Sequence, residues 1–210
     1  RVPDPRRQWE IAVGAILTQN TTWHNASLAL SELARQRHLS LRRMAALPHA
    51  DLAATIRPAG YYNQKARHLL ELARHVAEAW GGRIARFLSQ PPADLRHQLL
   101  QRRGIGPETA DSILLYAAGY PFFVVDTYTR RIGVRLGWVQ EGIAYDLLQG
   151  YFASRLPSDP ALYNEYHALL VRHAVVHCKA IPVCEACRLR DACRHAGRPN
   201  DSSSRSGGTP

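Results

Sequence analysis

From Arg7 to Ala118 the apolar residues recur every three or four positions, and a chain patterned this way can bury them together only as amphipathic helices. Leu69, Leu72, Ala73, Val76 and Trp80 make one such stripe, with Arg67, Glu71, Arg74 and Glu78 on the other side. Helix-breaking residues at Thr21-Thr22, Pro48, Pro58 to Gly60, Gly81-Gly82, Pro91-Pro92, Gly104 to Pro107, Gly119 to Pro121, Gly137 and Pro157 divide the chain into about ten short helices. The only β-branched and aromatic run, Phe122 to Val125, is too short to argue a sheet. The expected fold class is all-α. With 210 residues, 46% of them apolar, there is enough to bury one large core or two small ones. No internal repeat is evident, and residues 196–210, with Ser202-Ser203-Ser204 and Gly207-Gly208, read as a polar, solvated tail.

The chain carries 27 basic against 17 acidic residues, a net charge of +10, which favours a polyanionic partner such as nucleic acid. All the basic residues but Lys65 and Lys179 are arginines, so the excess reads as readily as genomic composition as it does as selection for phosphate contacts. No run approaches the ~18 to 20 apolar residues that span a bilayer, and no signal-peptide pattern opens the chain. The expected location is the bacterial cytosol or nucleoid, with no membrane partner and a monomeric state.

All four cysteines, Cys178, Cys184, Cys187 and Cys193, fall within one short C-terminal segment spaced C-x5-C-x2-C-x5-C. Two disulfides there would staple only a small loop in a chain large enough to hold itself together, so a metal site or cluster is the better reading. Four thiolates suit a 4Fe-4S cubane or a tetrahedral zinc, and spacing alone does not separate them. His173 and His177 lie close in sequence and read as supporting residues, because four cysteines already fill a ligand shell.

A helical run near residues 94–102, the turn Gly104-Ile105-Gly106 and a second helix from Pro107 to Ala118 read as a helix-hairpin-helix spanning about 94–118. Its glycines permit a sharp turn and close approach to a ligand. The proline stands where a helix start needs no N–H, and the neighbouring amides can face a phosphate. Gly104, Ile105, Gly106 and Thr109 are therefore candidate DNA contacts.

The stretch Gly104 to Tyr128, with Val124-Val125-Asp126-Thr127 at its end, closely resembles the hairpin and Gly/Pro-Asp loop of the endonuclease III superfamily of base-excision DNA glycosylases, in its endonuclease III-related branch. Ile16 to Thr22 and Gly60 to Ala66 are similar to the two DNA-facing loops of that family, and Cys178 to Cys193 to its terminal iron–sulfur site. The family pattern there is C-x6-C-x2-C-x5-C, one residue longer in the first loop. The family also begins with a further helix ahead of the position of Arg1.

The resemblance implies two helical lobes with the active cleft between them: a barrel carrying the hairpin (1–120) and a cluster domain (121–195). It implies a base-excision glycosylase acting on double-stranded DNA that contains a damaged base, with a 4Fe-4S cluster favoured over zinc. An oxidised pyrimidine is the expected substrate, and an alkylated purine or a non-catalytic DNA-binding homologue is the alternative. Asp126 takes the place of the catalytic carboxylate, which can stabilise a cationic sugar or orient water; it is also placed to cap the helix from Thr127. Glu108 stands where bifunctional members have the lysine that forms a Schiff base. This implies water attack with weak or no strand cleavage, and leaves Glu108 as either a second carboxylate or a residue complementing the helix dipole. Gln19 and Tyr61 take the gap-filling places, and Lys65 and Lys179 are candidate phosphate contacts.

Overall fold

The computed structural model describes residues 2–196, and the polar tail expected at 196–210 lies outside them except for Ala196. Among the described residues the chain is helical with no strand. It divides into two compact units: Arg1–Val124 with Ser158–Asn164, and Val125–Pro157 with Glu165–Pro210. The division thus falls after Val124, and one short segment counts with the first unit.

The first unit holds α1 (Pro5–Leu17), α2 (Trp23–Arg35), α3 (Leu41–Ala46), α4 (His49–Thr55), α5 (Tyr62–Ala79), α6 (Ile84–Leu88), α7 (Pro92–Leu100) and α8 (Pro107–Ser112). Asp4 starts α1, its carboxylate accepting the N–H groups of Arg6 and Arg7 with Pro5 at the first position. Trp9, Val13, Ile16 and Leu17 of α1 and Leu69, Leu72, Ala73 and Val76 of α5 are all almost fully buried, as the three-and-four spacing requires. Each large aliphatic side chain so buried contributes ~1.5 to 3 kcal/mol. Trp80 stays at the edge of this core, edge-on to Phe87 with ring centroids 5.8 Å apart.

Beyond α8 the helix expected to run regularly to Ala118 widens into a π-helical turn, Ile113–Ala118, and ends at Gly119 with φ +74°. The apolar run after it forms no strand. Phe123 is fully buried and packs edge-on against Tyr163, centroids 5.3 Å apart.

The second unit contains α9 (Thr127–Leu136), α10 (Tyr145–Ala153) and all but the opening of α11 (Pro160–Val176), followed by the cysteine segment. Trp138 stacks on Tyr151, and Phe152 meets Trp138, Tyr151 and Tyr166 edge-on.

Candidate active site and nucleic-acid interface

The helix-hairpin-helix is formed by α7, the turn Gly104–Gly106 and α8. Its two helices are locked by Arg96, which donates to both oxygens of fully buried Asp111 at 2.8 and 3.2 Å. Removing Arg96 would take this guanidinium away from a fully buried carboxylate, a costly loss. Gly104 has φ +78°, and a Cβ built on it would lie 2.1 Å from the ring of His68 on α5, so close contact and backbone conformation both require glycine there. Gly106 is exposed with open space around it. The first hydrogen bond inside α8 runs from Ala110 to the Gly106 carbonyl, so the Thr109 amide has no acceptor within the helix.

Three loops meet at this end of the first unit. The Gln19 amide, just past α1, donates to the Gly104 carbonyl and to the Thr109 hydroxyl, both at 2.8 Å. The Lys65 ammonium, on α5, donates to the carbonyl of Leu17 at the end of α1 and to that of Ala59 just before Gly60, at 2.8 and 2.7 Å. The hairpin, the loop after α1 and the loop before α5 are thereby tied to one another.

Two expectations are corrected. Lys65 is not a surface phosphate contact: it is 2% exposed, its ammonium serves two main-chain carbonyls, and burial lowers its pKa. Ile105 presents neither side chain nor amide to a ligand, because the side chain is buried in the core and the N–H donates to the Arg102 carbonyl at 3.1 Å. Thr109 is also buried, with its hydroxyl accepting from Gln19.

Tyr61 is placed differently. It is 66% exposed and sits at φ +45°, ψ +30°, a left-handed conformation costing a non-glycine residue ~1 to 2 kcal/mol, immediately after Gly60 at φ +67°. Strain at an exposed aromatic is the sort of cost retained for function. Trp23, which opens α2, is likewise exposed, at 64%. Glu108 is exposed in the first turn of α8, and its carbonyl accepts from the Ser112 hydroxyl at 2.8 Å.

In the second unit Asp126 caps α9, its Oδ1 accepting the Thr129 N–H at 2.7 Å. Its Oδ2 lies 3.4 Å from Nε2 of His167 on α11, and both side chains are largely buried. Burial alone would raise the Asp126 pKa; the imidazole and the Thr129 amide outweigh it and hold the carboxyl below its ordinary value, so it is ionised at neutral pH. His167 was not among the expected site residues: the family-like stretch Tyr163–His167 bears on the cysteine segment, and nothing in the sequence pairs its histidine with Asp126.

The four cysteines are free thiols lining one hollow together with His173, His177 and Arg135. The loop that carries them is bound to α9. Arg131 donates to the Cys178 carbonyl at 2.8 Å, and Arg135 to the carbonyls of Lys179 and Ala180 at 2.6 and 2.8 Å and to Cys178 Sγ at 3.3 Å. Cys193 Sγ faces the Arg135 carbonyl at 3.4 Å, and Cys187 Sγ lies 3.8 Å from His173 Nε2. Lys179 is exposed on this loop. Among the described residues no three His, Cys, Asp or Glu side chains converge on one metal-ion position. No helix among them is long and apolar enough to cross a membrane.

Comparison with known proteins agrees with this geometry. Residues 13–157 match the profile of the HhH-GPD superfamily base excision DNA repair proteins. MJ1434 of Methanocaldococcus jannaschii, a candidate DNA repair glycosylase, is 39% identical over 189 residues, covering 89% of this chain and 85% of that protein. Endonuclease III of Sulfolobus acidocaldarius is 30% identical over 194 residues, covering 90% and 83% respectively. The solved structure of the H. pylori 3-methyladenine DNA glycosylase bound to 1,N6-ethenoadenine has a TM-score of 0.71 and 28% identity, over 83% of this chain and 90% of that one. The chain belongs to the HhH-GPD superfamily of base excision DNA repair proteins and is an endonuclease III-like DNA glycosylase.

Proposed function

We propose that this glycosylase, acting as a monomer in the cytosol or nucleoid, hydrolyses the N-glycosidic bond of a damaged base in double-stranded DNA and leaves the strand uncut. The observation that carries the reading is an anchored, ionised Asp126 in a chain with Glu108 where a Schiff-base lysine would stand. A carboxylate already fixed in place stabilises the cationic sugar as the base departs, or orients the attacking water, without reorganising. A glutamate offers no amine. Lys65 does not replace one, since its ammonium is committed to the carbonyls of Leu17 and Ala59.

The exposed turn at Gly104 and Gly106, with the amide of Thr109, contacts phosphates without reading sequence, while Tyr61 and, once its amide leaves Gly104 and Thr109, Gln19 fill the gap left by the extruded base. Tyr61 suits this role by its exposure. Lys179 adds a further phosphate contact from the cysteine loop. Glu108 serves as a second carboxylate near the reaction or as a charge complementing the start of α8.

The resemblance to endonuclease III makes an oxidised pyrimidine the first substrate class to test. A second reading, an alkylated purine, is favoured by the 28% identical H. pylori relative, whose structure holds 1,N6-ethenoadenine. A panel of duplexes carrying thymine glycol, 3-methyladenine or 1,N6-ethenoadenine, each assayed with and without alkali, tests both. Release of one base with strand breaks only after alkali supports the proposal. Binding without release from any duplex would leave a non-catalytic DNA-binding homologue.

Cys178, Cys184, Cys187 and Cys193 would hold a 4Fe-4S cluster. The fit rests on four free thiols around one hollow and on the Arg135 guanidinium at 3.3 Å from Cys178 Sγ, which offsets thiolate charge. When bound, the group fixes the C-terminal loops and takes no part in base chemistry. Iron in the purified protein, with broad absorbance near about 400 nm, supports the cluster; a colourless zinc protein supports the alternative.

A further inference from the structure

We propose that His167 is a positioning residue that holds the Asp126 carboxylate in the orientation the glycosylase reaction uses. The inference rests on the reading of Asp126 as the catalytic carboxylate. Asp126 has two oxygens to satisfy in a place where its side chain is only 13% exposed. The helix cap uses one, the 2.7 Å bond from the Thr129 N–H to Oδ1. That bond alone leaves the carboxylate free to turn about its axis and leaves Oδ2 without a fixed direction.

His167 supplies the second constraint. Its Nε2 stands 3.4 Å from Oδ2, and its own side chain is 15% exposed, so water does not compete strongly for the contact. The preceding Tyr166 packs edge-on against Phe152 of α10 at 5.8 Å, which anchors this part of α11. With Oδ1 directed at the start of α9 and Oδ2 at the imidazole, both torsions of Asp126 are set before substrate arrives. A preorganised carboxylate stabilises developing positive charge at no cost of reorganisation, whereas one free to rotate loses that advantage. His167 does not touch the base or the sugar in this scheme.

The test is single-turnover base release and DNA affinity for wild type, D126N, H167L, H167Q and H167N. The duplex carries thymine glycol or 1,N6-ethenoadenine, whichever the wild-type enzyme releases. Loss of this 3.4 Å polar contact to a charged group predicts a single-turnover rate roughly ten- to a hundredfold lower in H167L, with DNA affinity unchanged. Glutamine carries an N–H about as far from the main chain as Nε2, and H167Q is expected to recover most of the rate; H167N, with too short a reach, should not.

Combining H167L with D126N should slow release no further than D126N alone. If H167L fails to fold, as judged by circular dichroism, the contrast between H167Q and H167N carries the same test. Wild-type rates in H167L beside an inactive D126N would overturn the inference while leaving Asp126 in place. Equal loss in H167Q and H167N would assign His167 to packing and overturn it too. Undiminished release by D126N would remove the underlying reading of Asp126 and this inference with it.

Discussion

The two glycines of the hairpin turn, so close in sequence, should respond to the same substitution to very different degrees. An alanine at Gly104 must adopt φ +78°, at ~1 to 2 kcal/mol. Its Cβ would also stand 2.1 to 2.3 Å from three atoms of the His68 ring, and overpacking of this kind costs about 1 to 3 kcal/mol. Together the two effects predict a loss of about 2 to 5 kcal/mol, or roughly 5 to 15 °C in melting temperature for a chain of this size. Gly106 has φ −88° and nothing within 4 Å of a Cβ, so Gly106→Ala should cost at most about 1 kcal/mol, chiefly as a poorer helix cap.

DNA binding should weaken in both variants, and in Gly106→Ala with little loss of stability, because a methyl group at exposed Gly106 obstructs the approach of a phosphate. Thermal melts, with fluorescence anisotropy on an undamaged duplex at low and physiological salt, separate the two effects. Adding His68→Ala to Gly104→Ala should recover the overpacking share and leave the backbone share, a coupling that a double-mutant cycle reads directly. A Gly104→Ala protein that melts with wild type, or a Gly106→Ala protein that binds DNA as well as wild type, would refute the reasoning.

Three other outcomes follow from the geometry. Tyr61→Gly should raise stability by ~1 kcal/mol by relieving a left-handed residue, while weakening binding to damaged duplex by ~1 to 3 kcal/mol through lost stacking; calorimetry and anisotropy read the two. Lys65→Met should leave the Leu17 and Ala59 carbonyls without their donor and lower stability by ~1 to 3 kcal/mol for each group left unsatisfied. Limited proteolysis should then cut first in the loops they end. Because the Asp126 pKa is lowered in the folded state, its contribution to stability is present above its ordinary value of 3.8 and is lost as pH falls through the folded value; Asp126→Asn should remove that part of the acid sensitivity, as denaturant melts at pH 3 to 6 will show.

The helices were legible because the pattern that buries Leu69, Leu72, Ala73 and Val76 is local, and so was the hairpin, whose Gly104, Gly106 and Pro107 carry their own conformational demands. What could not be seen depends on residues distant in the chain. A lysine in an amphipathic helix reads as a surface charge. Only the meeting of Leu17 and Ala59 makes a buried place for Lys65. An isoleucine between two glycines reads as part of a loop, and only the core beneath it shows Ile105 to be an anchor. The pairing of Asp126 with His167 joins the start of α9 to α11, which no spacing rule connects. The π-helical turn at Ile113–Ala118 arises in a run whose local preferences are ordinary helix.

The central claim, hydrolysis at Asp126 without an amine nucleophile, is tested most directly by borohydride trapping on a substrate duplex, with base release followed in the same reaction. The account predicts released base, a strand that breaks only under alkali, and no covalent protein–DNA adduct. An adduct formed by the unmodified enzyme would contradict it and would show that an amine in this chain attacks the sugar.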